Sequence, residues 1–253
     1  MIENKAFEVG DPSAPREILM LHGYTGSPLE FHELAEFLAS HLHAHVTVPL
    51  LPGHGGSEEE LLAVSFEEFR NAAHTHTEHI ARTGKPFAII GNSFGGLLAT
   101  LSAAEFPPTA LVLALTPYKL CFPFKMPGMA HFLHLRRWWG KATHLSKREV
   151  RAHKHLPYYV HTPGMALTLI RIAHAHINMI LPRIACPVLA LQTENDPIVH
   201  PSSGSALIER TQIHPDSKSI ILPHRPHRAF FGRGHSEVEH LVLEFLEKEF
   251  AKI

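Results

Sequence analysis

Cysteine is scarce in this chain: Cys121 and Cys186 are the only two, and they lie far apart in sequence. That excludes a disulfide framework and a Cys-rich metal motif, so both are expected to be reduced and structural. Charge imbalance is also missing. With 23 Lys/Arg against 24 Asp/Glu the formal net charge is −1, which offers no electrostatic reason to expect nucleic acid. No apolar run approaches transmembrane length. The opening residues, Met1-Ile2-Glu3-Asn4-Lys5, lack a basic segment followed by an apolar one, so a soluble cytoplasmic protein is the expectation. Internal repeats and low-complexity linkers are absent as well. What remains, at 253 residues, is a chain able to bury one sizeable core.

One residue type is in excess. There are 23 histidines, many in i, i+2 pairs such as His43 and His45, His74 and His76, His153 and His155, His174 and His176. A metal site needs ligands that converge, and on a helix i and i+2 do not face each other. There is no H-E-x-x-H and no Cys/His ligand spacing. No metal is expected. The histidines read as a surface bias whose charge turns positive as pH falls through the histidine range.

The most informative stretch is Gly91-Asn92-Ser93-Phe94-Gly95-Gly96, a G-x-S-x-G. An apolar strand pattern, Pro86-Phe87-Ala88-Ile89-Ile90, precedes it, and a strong helix former, Leu97 to Ala104, follows. A serine at so sharp a strand-to-helix turn is held in a strained backbone conformation with its hydroxyl exposed at the end of the sheet. Gly91 and Gly95 suit a turn that brings strand and helix too close for side chains. The helix amino terminus behind Ser93 offers N–H groups and a favourable dipole to an oxyanion. A second loop answers this one. The strand pattern Glu17 to Leu21 runs into His22-Gly23-Tyr24-Thr25-Gly26-Ser27-Pro28, which can supply a second oxyanion donor. The two donors read as the backbone amides of Tyr24 and Phe94.

With Pro52-Gly53-His54-Gly55 and Glu194-Asn195-Asp196-Pro197-Ile198-Val199, these motifs fall in one order along nearly the whole chain. Together they resemble the α/β-hydrolase superfamily, and within it the carboxylesterase and monoacylglycerol-lipase-like serine hydrolases. The resemblance implies a mostly parallel sheet with helices on both faces, a Ser-His-Asp triad and no cofactor. It implies nothing specific about substrate.

The remaining pattern agrees with such a fold. Leu29 to Ser40 has helical periodicity, His45 to Leu50 is a strand, and Ser65 to Arg82 is a polar helix opened by a Ser65/Glu68 capping box. Strands at Ala110 to Leu115, Cys186 to Gln192 and Ser219 to Leu222 alternate with helices at Ser202 to Arg210 and Val238 to Phe250. Such alternation builds a parallel sheet. Only sixteen residues precede Glu17, so the family's amino-terminal hairpin is expected to be reduced or missing. The alternation breaks over 118–181, where the family inserts its cap, leaving 1–117 and 182–253 as the core. Between Lys119 and Arg183 there are eleven Lys/Arg and one acid, Glu149, together with Trp138-Trp139. A basic, aromatic cap over an acidic body suits small ester substrates that are anionic or lipid-like.

A serine hydroxyl needs a base, and the base needs an orienting carboxylate. The acid should follow a late strand, as Asp196 does. Its alternatives are Glu194 and Asp216, and an aspartate before Pro197 also suits an Asx-turn. The base should lie in the loop past the last strand. His227 lies mid-loop. His224 abuts Pro223 at the strand end, His240 falls inside the final helix, and His235 precedes a Ser236/Glu239 capping box that sets it at the helix mouth. Pro226, where the family carries a small residue, keeps His235 and His224 open as alternatives. His22 and His54 read as structural, bonding backbone. The leading reading is a carboxylic ester hydrolase. A carbon–carbon bond hydrolase of ring-cleavage products is the rival within enzymes, and a ligand receptor that retains the fold is the rival outside them.

Overall fold

A computed structural model describes residues 5–122, 124–126, 128–129, 163–223, 227, 229–230 and 235–253. Seven strands form one sheet: β1 (Phe7–Val9), β2 (Arg16–Leu21), β3 (Ala44–Val48), β4 (Phe87–Asn92), β5 (Ala110–Ala114), β6 (Val188–Thr193) and β7 (Lys218–Leu222). Their order is β1-β3-β2-β4-β5-β6-β7. Every pairing is parallel except that of β1 with β3. The amino-terminal edge is thus a single three-residue strand among the described residues, reduced as the few residues before Glu17 implied.

The central strands are near-continuous apolar runs because both faces of the sheet are covered. Side chains alternate between two cores. Leu19, Leu21, Ile89, Leu111 and Leu113 enter one, and Ile18, Met20, Ile90, Val112 and Ala114 enter the other. The first core is closed by α3 (Phe66–Ala81), α4 (Phe94–Glu105), α5 (Pro163–Ile180) and α6 (Ser203–Ile208). The second is closed by α1 (His32–Leu42) and α7 (His235–Phe250). The short α2 (Glu58–Ala63) begins with a reciprocal cap between Ser57 and Glu60, and α3 with the expected one between Ser65 and Glu68.

Two sequence expectations change. Helix α7 begins at His235, so Ser236 lies in its first turn rather than at its cap. At that first residue a long-range contact is made: the His235 ring is held by Glu33 of α1 at 3.1 Å, and Glu239 is buried beside them. Gly164–Arg183 is also long and apolar enough to cross a membrane by length and composition. Yet Leu169, Ala173 and Ile177 of that helix are seated in the first core. It satisfies its apolar face against α4 and α3, as core helices do. Of 118–181, the structure describes this helix and the residues before 130 given above; Arg136, Arg137, Trp138 and Trp139 lie outside the described residues. What precedes residue 123 is tied to the body, because Leu120 bridges Val199 and the Cys121 N–H donates to the Ile198 carbonyl at 2.8 Å.

Candidate active site

The carboxyl ends of β2, β4 and β6 converge on one point. Ser93 ends β4 at φ 51°, ψ −118°, a conformation L residues rarely adopt, and α4 starts at the next residue. The close approach that permits this is visible at Gly95, where an added Cβ would lie 2.0 Å from the Leu21 carbonyl oxygen. An alanine there would push β2 and the elbow apart. Phe94 is the first residue of α4, whose N–H has no intrahelical acceptor.

The His227 ring bridges two elements. Its Nε2 lies 2.9 Å from Ser93 Oγ, and its Nδ1 is hydrogen-bonded to Asp196 Oδ2. Asp196 stands after β6 with its side chain fully buried. Its other oxygen, Oδ1, accepts the N–H groups of Ile198 at 2.8 Å and Val199 at 2.9 Å. The Asx-turn and a bond to the imidazole therefore occur together at this aspartate. One oxygen makes the Asx-turn, and the turn aims the other at the imidazole. An Asp acceptor on Nδ1 leaves Nε2 unprotonated towards the serine, which is the tautomer a base needs.

The rival residues are elsewhere. Glu194 is exposed. Asp216 is bound by Lys248 and by Lys252 at 2.7 Å, and these two lysines lower its carboxyl to about 2. His235 faces Glu33, and the His240 ring bonds the Ser236 carbonyl at 2.7 Å beside Phe37. His224 lies outside the described residues. Both cysteines are free; burial pushes the Cys186 thiol up to about 12, so it stays protonated and inert.

The loop after β2 lies against the elbow. A Cβ placed on Gly23 would sit 3.4 Å from Ser93 Cβ, and the half-buried Tyr24 ring packs edge-on against Phe94, Phe69 and His54. His22 is completely buried. Its Nε2 accepts the Leu51 N–H at 3.0 Å, which leaves Nδ1 to donate to the Gly23 carbonyl at 3.0 Å. Desolvation, with His54 beside it, drives its pKa well below the usual histidine range, and burial lowers His54 to about 4. Both therefore work as neutral backbone ligands, as the sequence implied. The histidine excess is correspondingly not only a surface bias: His174 also bonds the Pro117 carbonyl at 2.6 Å, and His176 stacks on Phe66.

Two residues of this site had no role in the sequence reading. Glu30 is buried under the loop, and its Oε1 accepts the Gly23 N–H at 2.8 Å. Asn92, just before the serine, donates its side-chain amide to the same carboxyl. Burial raises Glu30 to about 7, against the opposite pull of Gly23, Asn92 and His227. A signal was present. Glu30 falls one turn before Leu34 and two before Leu38, so it is an acid on the apolar stripe of its helical segment.

Comparison with known proteins agrees with this geometry. A model of the alpha/beta hydrolase family matches residues 18–242. A thermostable monoacylglycerol lipase of Bacillus sp. (strain H-257) is 26% identical over 198 residues, covering 78% of this chain and 77% of that protein. Human monoacylglycerol lipase ABHD6 is 33% identical over 107 residues, which is 42% of this chain and only 31% of that protein. Among solved structures, one of the metagenome-derived lipolytic enzymes LipS and LipT superposes with a TM-score of 0.79 at 22% identity, covering 97% of this chain and 98% of that one. The chain belongs to the alpha/beta hydrolase family.

Proposed function

We propose that this protein hydrolyses carboxylic esters through Ser93, His227 and Asp196. The observation that carries the reading is the His227 ring, set between the Ser93 hydroxyl at 2.9 Å and the buried Asp196 carboxylate. Ser93 Oγ attacks the ester carbonyl carbon while its proton passes to His227 Nε2. The tetrahedral oxyanion is received by the backbone N–H groups of Tyr24 and Phe94. His227 then returns the proton to the leaving alcohol, and the acyl group stays on Ser93. Water, deprotonated by the same nitrogen, releases the acid and restores the serine. Asp196 steadies the imidazolium that forms twice in the cycle.

The substrate is proposed to be a small lipid-like ester. The Bacillus relative is named for monoacylglycerols, and its likeness spans most of both chains. The eleven basic residues between Lys119 and Arg183 favour anionic members of that class. A fluorophosphonate should label Ser93 stoichiometrically, and the protein should turn over a chromogenic short-chain ester. Labelling at another serine, or a labelled protein without turnover, would overturn the reading; the second outcome would favour a ligand receptor of the same fold.

A further inference from the structure

The structure assigns Glu30 as a positioning residue: it locks the Gly23–Tyr24 oxyanion loop to the nucleophile elbow. This deepens the ester hydrolase reading and rests on it. An oxyanion donor is useful only if its N–H is aimed before the charge appears. The Tyr24 N–H belongs to the same planar peptide as the Gly23 carbonyl and points the opposite way. That carbonyl is fixed twice, by the Gly26 N–H at 3.0 Å and by His22 Nδ1 at 3.0 Å. The preceding peptide is fixed by Glu30, which takes the Gly23 N–H at 2.8 Å. Both peptide planes that flank Gly23 are thus pinned, and the donor aim follows from them.

Glu30 also reaches the other half of the site. Its carboxyl accepts from the Asn92 side chain, whose own backbone leads directly into Ser93. One carboxyl therefore joins the loop after β2 to the elbow after β4. The short 3-10 turn Pro28–Phe31, capped by Ser27 Oγ on the Leu29 N–H, returns the chain beneath the loop to place it. The second glycine of the loop has its reason here as well. A Cβ on Gly26 would lie 2.9 Å from the Gly23 oxygen and 3.1 Å from Glu30 Oε2, crowding the acceptor.

The carboxyl is surrounded by N–H donors, and the titratable group that bears on it is His227, itself backed by Asp196. His22 and His54, on the loop and beside it, are held neutral by burial. An ionised Glu30 accepts both hydrogen bonds and favours the imidazolium that His227 becomes in the reaction. Turnover should therefore rise as Glu30 loses its proton around neutral pH.

The experiment compares wild type, Glu30→Ala, Glu30→Gln and Gly26→Ala with a chromogenic ester from pH 5.5 to 9, with fluorophosphonate labelling and a melting curve for each. Glu30→Ala frees the loop and should lower kcat about 10²-fold with little change in KM, the scale of a donor misplaced by an ångström. Glu30→Gln keeps an acceptor for Gly23, so it should hold kcat within about tenfold of wild type. The Gln variant should also lose one ionisation from the acid limb of its kcat profile. Gly26→Ala keeps the carboxyl but crowds it and the Gly23 carbonyl, so it should lose kcat while retaining the acid-limb ionisation. A Glu30→Ala enzyme with wild-type kcat, or a loss seen only in KM, overturns the assignment. Where the Ala variant fails to fold, an unchanged acid limb in Glu30→Gln overturns it. Wild type that is not labelled at Ser93 instead defeats the ester hydrolase reading itself, so the two failures are told apart.

Discussion

The two ends of the parallel sheet handle buried polarity in opposite ways. At the amino end, Glu17 on β2 is buried against a countercharge, Lys85 Nζ at 2.8 Å, with the His45 ring at 2.9 Å. Arg16 beside it caps the end of α1 through the Leu42 carbonyl at 2.6 Å. At the carboxyl end, Glu30 and Asp196 are buried against N–H donors and an imidazole instead. Backbone strain divides the same way. Of the non-glycine residues with positive φ, Thr25, Ser93 and Leu115 follow the carboxyl ends of β2, β4 and β5, while His43 merely closes α1. A countercharge fixes a carboxylate as a strut. Amide donors hold Glu30 and Asp196 in place without a fixed countercharge, and the strained backbone lies at Thr25, Ser93 and Leu115 beside them. On the proposed function, one end of the sheet serves stability and the other chemistry, as expected of open α/β sheets.

Separating activity from stability is the strongest way to break that contrast. Ser93→Ala should lower kcat about 10⁵- to 10⁶-fold, the scale seen when a triad nucleophile is lost. It should not lower the melting temperature, because it relieves a strained elbow of its hydroxyl and nothing else. Asp196→Asn should cost about 10⁴-fold, because an amide nitrogen opposite Nδ1 favours the wrong tautomer of His227. A melting temperature that drops several degrees in Ser93→Ala would remove the contrast.

Much of the carboxyl end was legible because its signals are local. Ser93 announces itself by strand, turn and helix in a dozen residues. Asp196 stands directly after an apolar strand, and the Pro197-Ile198-Val199 stretch makes its turn. His227 was favoured within a short loop, with His224 and His235 left open. Glu30 showed only as an acid on an apolar stripe, because its reason is a partner at the end of the neighbouring strand, Asn92, and a loop folded over it. The same blindness misread Ser236 as a cap: the first residue of α7, His235, meets Glu33, about two hundred residues away in sequence. The apolar face of α5 was likewise visible only once α3 and α4 were in place beside it.

Acid stability sharpens the contrast at the next scale. The folded pKa of His54 is lowered to about 4, so the unfolded chain binds the proton first and stability falls as pH drops below the unfolded histidine range. Glu30 acts in the other sense. Its folded pKa is raised to about 7, so its contribution is present at low pH and lost as pH rises from the ordinary carboxylate range through 7. Between pH 7 and 5 each is worth about 2 kcal/mol, of opposite sign, and the two nearly cancel. Buried His22 adds to the histidine side. Glu30→Gln removes the compensating half. It should be more stable than wild type at pH 8, yet lose about 2 kcal/mol more than wild type between pH 7 and 5 in urea unfolding. Parallel curves for the two proteins would mean that Glu30 is not buried as a titrating acid.

The smallest expected effect belongs to the amino end. Glu17→Gln keeps the shape and an acceptor oxygen but removes the negative charge opposite Lys85, which also donates to the Pro12 carbonyl at 2.8 Å. A fully buried pair broken this way would lose several kcal/mol, but the Lys85 side chain is 26% exposed and water replaces part of the loss. About 1–2 kcal/mol remains, a fall in melting temperature of roughly 2–8 °C for a chain of this size. Lys85→Met should cost a similar amount, since it leaves Glu17 to His45 alone. The double variant should cost less than the sum, because two residues in one ion pair do not add. Ester turnover, measured on folded protein, should be unchanged in all three. Additive losses would show that Glu17 and Lys85 act separately. A fall in kcat with intact folding would show that the amino end reaches the chemistry after all, and that the division between the two ends of the sheet is drawn in the wrong place.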